Sequence, residues 1–257
     1  MSQMFVFHGV DSKVGTTMIS QSVAELIADN LKDKKILFAS LNGRLNDQYA
    51  DHVGESIEGI KIYLDNKVLS TNELMESCKR TDNLYHIAGI DSIGVSRYYH
   101  PETAMYFLEA IEDCFDIIVV DSGNELDDGL AIGALEGIKE KFCIITQQES
   151  VLKRYEKLET IYKKLGISFN CVIINKYNTS NSYDLDYITN RLSISSEEIM
   201  KVEMTDLYLQ AEMDCCTLIH YNDRNYINDI IEISNKILGL CNIDICLKRK
   251  RKWRSFI

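Results

Sequence analysis

Residues 11–17 are the stretch of this chain whose types and spacing best suit chemistry. Asp11-Ser12-Lys13-Val14-Gly15-Thr16-Thr17 stands between an apolar run over 4–10 and a helical pattern with Ile19, Val23, Leu26 and Ile27 on one face. Strand, loop and helix in that order aim backbone N–H groups and a helix N-terminus at an anion. A phosphate loop of the form G-x-x-x-x-G-K-[ST] adds a lysine for the β- and γ-phosphates and a hydroxyl for Mg²⁺. Here Gly15 and Thr17 hold the last glycine and the hydroxyl positions. Thr16 stands in the lysine position and Val10 in that of the first glycine. The expected chemistry is therefore phosphate binding by residues 12–17, with poor equipment for phosphoryl transfer.

A second candidate lies at 116–123, where Ile117-Ile118-Val119-Val120 runs into Asp121-Ser122-Gly123. An aspartate at the carboxyl end of a buried strand is the side chain that holds Mg²⁺, directly or through water, opposite a phosphate loop. The expected metal ligands are thus Thr17 and Asp121. No histidine pair has metal-ligand spacing, Cys215-Cys216 is adjacent and not C-x-x-C, and no Ser-His-Asp or Cys-His set follows from spacing. His8, inside the first apolar run, reads as a core or sheet-edge histidine. Asp127 and Asp128 read as acids of a helix's first turn.

Positioning these groups requires a sheet. Strand-like runs at 4–10, 35–41, 84–90, 116–121, 142–146 and 171–175 alternate with helical patterns at 18–32, 101–114, 126–138, 151–165 and 226–240. Several strand runs are continuously apolar, as expected of strands covered on both faces. Alternation of this kind predicts an α/β fold, a three-layer domain with a mainly parallel sheet of about seven strands. Pro101 fits a helix N1 position. Residues 42–83 and 176–225 show no clear period and are expected to be short helices and loops.

Composition sets the remaining bounds. At 257 residues, 46% apolar and 26% charged, the chain fits one globular domain, expected over 1–245, followed by a tail at 246–257. No transmembrane run or leader peptide is apparent, and the cysteines near apolar runs suit free thiols, so a cytoplasmic location is expected. The net charge is −11, yet the last eleven residues carry six basic side chains and no acid. The rest of the chain is more acidic still, which argues against nucleic acid as a general partner.

On these residues the chain resembles the MinD/ParA family of deviant P-loop ATPases, whose loop reads K-G-G-x-G-K-[ST]. Aligned on Gly15, that family's signature lysine falls on Asp11, its two glycines on Ser12 and Lys13, its main lysine on Thr16 and its hydroxyl on Thr17. Its D-x-D pair at the end of the second strand falls on Ser40 and Asn42, and its Mg²⁺-side aspartate on Asp121. A strand ending in asparagine, often close to the adenine, is similar to Cys171-Val172-Ile173-Ile174-Asn175-Lys176. The resemblance implies ATP or ADP with Mg²⁺ as cofactor, held by Ser12, Lys13, Val14, Gly15, Thr16, Thr17 and Asn175. It also implies a homodimer and a role in positioning.

Loss of both lysines, each charge-assisted contact being worth roughly 1.5–3 kcal/mol, implies weak or absent ATPase activity. Asn42 cannot serve as an anionic partner for water. Two alternatives stay open: a scaffold that has lost nucleotide altogether, and a slow ATPase in which Lys13 folds back onto a phosphate. A degenerate loop of this type is similar to the TadZ/CpaE branch, localisation factors of Tad/Flp pilus assembly. That branch typically adds an N-terminal receiver-like domain, whereas the first strand here begins near residue 4. The tail, Leu247-Lys248-Arg249-Lys250-Arg251-Lys252-Trp253-Arg254-Ser255-Phe256-Ile257, interleaves cations with apolar groups. It suits an anionic membrane surface, as MinD-like C-termini do. A solvated tail, a nucleic-acid contact or a fold-back onto the chain's own acidic body are its other readings. The implied setting is the inner face of a membrane, with a protein partner in a membrane-associated assembly.

Overall fold

The computed structural model describes residues 3–50, 54–92 and 94–248. Its centre is a sheet of eight parallel strands in the order β3-β4-β2-β5-β1-β6-β7-β8. These are β1 (Gln3–Gly9), β2 (Ile36–Ser40), β3 (Glu55–Ser56), β4 (Leu84–Ala88), β5 (Ile117–Asp121), β6 (Glu140–Thr146), β7 (Cys171–Tyr177) and β8 (Ile199–Glu203). The helices are α1 (Thr16–Asn30), α2 (Lys61–Asp65), α3 (Thr71–Ser77), α4 (Pro101–Ile111), α5 (Gly129–Gly137), α6 (Glu149–Lys164), α7 (Leu185–Leu192), α8 (Tyr208–Met213) and α9 (Arg224–Leu240).

The six strands expected from apolar runs all form, and the sheet is the parallel one that their hydrophobicity requires. Eight strands replace the expected seven or so, because two edge strands carry no apolar run. β3 is two residues long, and β8 reads Ile-Met-Lys-Val-Glu with Lys201 paired to Glu203 at 2.7 Å. Short or charged edges of this kind resist pairing with other chains. Their low hydrophobicity is also what hides them in the sequence.

Two cores clothe the sheet. Phe5, Phe7, Phe38 and Val119 point to the side of α1 and α9. Val6, Leu37, Ala39, Ile118 and Val120 point to the side of α4 and α5. Successive residues of a strand face opposite ways, so an uninterrupted apolar strand feeds both layers. The helix starts follow local chemistry. Pro101 opens α4 at its first turn, and Asp223 caps α9 by accepting from the N–H groups of Asn225 and Tyr226, both at 3.1 Å.

At α5 the boundary differs from expectation. Asp128 is the N-cap, accepting from Ala131 N at 3.1 Å, and Asp127 precedes the helix. The cap satisfies an orphan amide of the first turn. His8 is a core histidine, buried on the central strand with Nδ1 3.1 Å from Ser122 Oγ. All eight cysteines are free. Among the described residues, no helix is long and apolar enough to cross a membrane. The basic tail from residue 249 onward lies outside the described residues. Leu247 is buried, and its N–H donates to Asn235 Oδ1 at 2.7 Å.

Candidate functional site

After β1 the chain crosses to β2 on one side of β5, and it later leaves toward β6 on the other side. β1 therefore lies between β5 and β6. At such a switch point the loops beyond the strands' carboxyl ends part and leave a crevice. The 10–15 loop follows β1, and Asp121 ends β5 in register with Phe7 on one side and Ser40 on the other. Two segments a hundred residues apart in sequence thus meet at one sheet edge.

They meet by contact. The Thr17 hydroxyl donates to Asp121 Oδ2 at 2.6 Å, and Gly123 N donates to Oδ1 at 2.8 Å. Asp121 is fully buried, and burial pushes its carboxyl up against the opposing pull of the Thr17, Gly123 and Asn42 hydrogen bonds. Its direct donors, Thr17, Asn46 and Gly123, are neutral, so the carboxylate lies buried without a cation bonded to it among the described residues. Buried charge without a counter-ion is costly, and a divalent cation would relieve that cost. A hydroxyl that donates its hydrogen keeps its lone pairs, so Thr17 Oγ1 and Asp121 fit Mg²⁺ chemically. No cluster of three or more His, Cys, Asp or Glu suits a metal among the described residues. A cation here would accordingly take its other ligands from a phosphate and water.

The loop fits an anion in its backbone more than in its side chains. Gly15, at φ 96°, is the N-cap of α1, and no acid occupies that helix's first turn. The N–H groups of residues 13–17 donate to no carbonyl outside the helix among the described residues. Asn175 Nδ2 donates to Val14 O at 2.7 Å, and Lys176 Nζ donates to Lys13 O at 2.8 Å. β7 and β8 lose register between Ile174 and Tyr177, and Lys176 takes a left-handed φ of 54°. That irregularity turns both side chains toward the loop, as bulges do.

Of the residues expected at the site, Lys13, Gly15, Thr16, Thr17 and Asn175 line one crevice of about 670 Å³. That volume lies within the ~300–1,000 Å³ typical of small-molecule sites. Val14 is different, because its side chain is buried in the core, so only its backbone serves the loop. Ser12 is exposed, its N–H donating to Asp11 Oδ1 at 2.7 Å. Thr16 is buried against Gly9, where a Cβ would sit 2.3 Å from Thr16 Oγ1. Ser40 is buried, and its hydroxyl has no partner among the described residues, while Asn42 faces the crevice.

Sequence reasoning missed the crevice walls. One is Arg44, Asn46, Gln48 and Tyr49; another is Glu203, Met204, Thr205, Tyr208 and Leu209. Both lie in segments without periodicity, and their one available signal is that they follow the carboxyl ends of β2 and β8. Asn46 Nδ2 donates to Asp121 Oδ2 at 2.8 Å beside Thr17. Met204, Tyr208 and Leu209 give the mouth an exposed apolar side. Asp11, Glu125, Glu203 and Glu212 outnumber Lys13, Arg44 and Lys176 along the walls. Burial lowers the Lys176 pKa, Glu212 opposes it and nearby Lys13 adds to it, so two cations converge on the loop.

No family model matches the sequence, and no curated protein matches it. The fold is nonetheless shared with solved structures. A ParA family ATPase from Chlorobium tepidum superposes with a TM-score of 0.78 at 18% identity, over 91% of this chain and 98% of that one. MinD from Pyrococcus horikoshii, complexed with Mg-ADP, gives 0.73 at 14% identity over 94% and 99%. A MinC:MinD cell division complex from Aquifex aeolicus gives 0.73 at 14% identity over 96% and 99%. The chain therefore has the P-loop NTPase-like fold of ParA and MinD structures, with helices on both faces of a parallel sheet.

Proposed function

We propose that this chain is a nucleotide-binding protein built on the ParA/MinD plan, with weak or no ATPase activity. The observation that carries the reading is the 2.6 Å contact of Thr17 with Asp121 at the foot of a loop that lines the crevice. ATP or ADP would lie with its phosphates over residues 13–17 and its base toward Asn175 and the apolar mouth. Mg²⁺ held by Thr17 and Asp121 would neutralise phosphate charge that Thr16 and Asp11 cannot.

The chain's own groups explain the weak turnover. Backbone N–H groups and the α1 dipole attract phosphate equally before and during reaction, so they bind without accelerating. The side chains that would sharpen that attraction at the transition state are absent at Asp11 and Thr16, and Asn42 is neutral. A solvent-exposed Lys13, at φ 60°, is the one loop cation and carries the alternative of a slow ATPase.

By analogy with MinD, a second copy and a protein partner would engage the crevice face, and the basic tail would meet an anionic membrane surface. The assembly positioned in this way would be membrane-associated, with a Tad/Flp-type pilus as the leading case. With Asp11 in the signature position, any dimer would depend little on ATP.

Calorimetric titration with ATP and ADP, with and without Mg²⁺, tests the reading. Micromolar, Mg²⁺-dependent binding that disappears in Asp121→Ala is expected. No heat and no thermal shift at millimolar nucleotide would leave the second reading, a scaffold whose acidic crevice no longer takes nucleotide.

A further inference from the structure

The carboxylate of Asp121 has one donor too many for a cation site. Oδ1 is committed to the backbone of Gly123, and Oδ2 accepts from both Thr17 and Asn46. Thr17 can keep its hydrogen on Oδ2 while its lone pairs face the crevice, so its contact is compatible with a bound cation. The Asn46 amide is not compatible in that way. The group turned to the carboxylate is Nδ2, a donor with no lone pair to offer, and at 2.8 Å it takes up a lone pair of Oδ2 that would otherwise be open to a cation or its water. Asn42 also supports the charged form of Asp121, but its Oδ1 is tied to Arg44 N at 3.1 Å, which holds the turn.

The chain around Asn46 is anchored on both sides, and between those anchors its backbone is held by one turn bond, Ala50 N donating to Asp47 O at 2.9 Å. Gly89 N donates to Leu45 O at 2.8 Å and Ile90 N to Arg44 O at 3.1 Å, fixing the near side to the end of β4. Gln21 Nε2 donates to Tyr49 O at 2.8 Å, fixing the far side to α1. Asp47 and Gln48 are exposed, whereas Asn46 is 9% exposed with a left-handed φ of 56°. Residues 46–48 can therefore swing out without disturbing the sheet.

We infer that Asn46 is an internal competitor for the divalent cation at Asp121: it satisfies the buried carboxylate in the ligand-free protein and must leave when a metal–nucleotide enters. The inference rests on the reading of Thr17 and Asp121 as the cation site. Asn46 is a positioning residue here, setting the threshold for loading and coupling it to the 46–48 segment.

Mn²⁺ is the probe. Its binding in the presence of ATP is followed by electron paramagnetic resonance for the wild type, Asn46→Gly and Asn46→Asp, both replacements being tolerant of a positive φ. Asn46→Gly should bind about tenfold more tightly, which is about 1.4 kcal/mol and the order of one hydrogen bond. Asn46→Asp, which trades a donor for a second carboxylate, should gain more. Amide hydrogen exchange at Ala50, whose N–H donates to Asp47 O at 2.9 Å, should be slow in the ligand-free wild type and quicken on addition of Mn²⁺ and ATP. In Asn46→Gly it should already be fast. Equal or weaker Mn²⁺ binding in both variants would overturn the role of Asn46 and leave the cation site standing. No Mn²⁺ binding in any of the three proteins would overturn the cation site, and the competition with it.

Discussion

Asn175 and Gly15 are locked face to face: a Cβ on Gly15 would sit 2.2 Å from the Asn175 Nδ2 that donates to Val14 O. Gly15 also holds φ 96°, so the loop depends on this residue twice over. Gly15→Ala should cost about 2–3 kcal/mol, the sum of left-handed strain and a displaced hydrogen bond. The melting temperature should fall by roughly 5–10 °C. Thermal denaturation of the purified variant reads this directly, and a loss below 1 °C would show that Asn175 does not brace the loop.

Asp121 ties stability to pH in the reverse of the usual carboxylate sense. Burial raises its folded pKa above the unfolded value. Between those two values the folded state holds more protons, so stability from this group is full below the unfolded pKa and declines as pH rises through the folded one. Asp121→Asn removes that decline and should leave stability at pH 7 within about 1 kcal/mol of wild type or above it. The same variant should lose Mg²⁺-dependent nucleotide binding. Urea unfolding at pH 4 to 7 alongside calorimetry separates the two effects.

His8 and His86 act at the acid end. Burial, aided by Arg154 for His8 and Arg80 for His86, pulls both down to about 3 from an ordinary 6.5. Between pH 6.5 and 3 the unfolded chain binds the extra protons, so stability falls as pH drops. The slope is at most about 1.4 kcal/mol per pH unit for each ring. Neither ring nitrogen of His86 has a partner among the described residues, and its ring packs edge-on to Phe38. His86→Phe should therefore flatten the acid limb of the unfolding midpoint plotted against pH. An unchanged limb would place its origin in other groups.

Glu25 anchors a buried polar cluster behind the crevice. It takes Arg80 Nη1 at 2.6 Å, Gln21 Nε2 at 2.9 Å and the Thr217 hydroxyl, with His220 Nε2 at 3.1 Å. Burial alone would raise its pKa, but these partners outweigh it and lower the value, while the hydrogen bond to Glu25 raises that of His220. Arg80→Met strands a buried carboxylate and should cost about 3–5 kcal/mol. Adding Glu25→Gln should restore about 1–3 kcal/mol, and strict additivity in that cycle would mean the pair is uncoupled.

The tail should be separable from the folded body, but only beyond Leu247. That residue is 5% exposed and its backbone makes two hydrogen bonds with the Asn235 side chain. A chain ending at Lys248 should unfold like the full-length protein. One ending at Ile245 should lose about 2–4 kcal/mol through lost burial and hydrogen bonds. Neither should bind anionic vesicles if the basic residues carry that contact. Equal vesicle binding by full-length and Lys248-terminated chains would end the membrane reading.

The sequence by itself determined the layered parallel fold, the loop between β1 and α1, and Thr17 and Asp121 as its polar pair. These follow from short-range rules: apolar runs long enough for buried strands, helical periods between them, and a glycine where only a left-handed backbone starts α1. Only the tertiary structure decided what surrounds that pair. Asn46 on Asp121, Asn175 and Lys176 on the loop carbonyls, and Glu25 with Arg80, Thr217 and His220 are contacts across tens to nearly two hundred residues. No local pattern encodes them, because a loop's path is set by the strand ends that carry it and not by its own periodicity. The two hidden edge strands show the same limit. β3 and β8 exist because β4 and β7 offer them hydrogen bonds, and neither has the apolar run that would announce it.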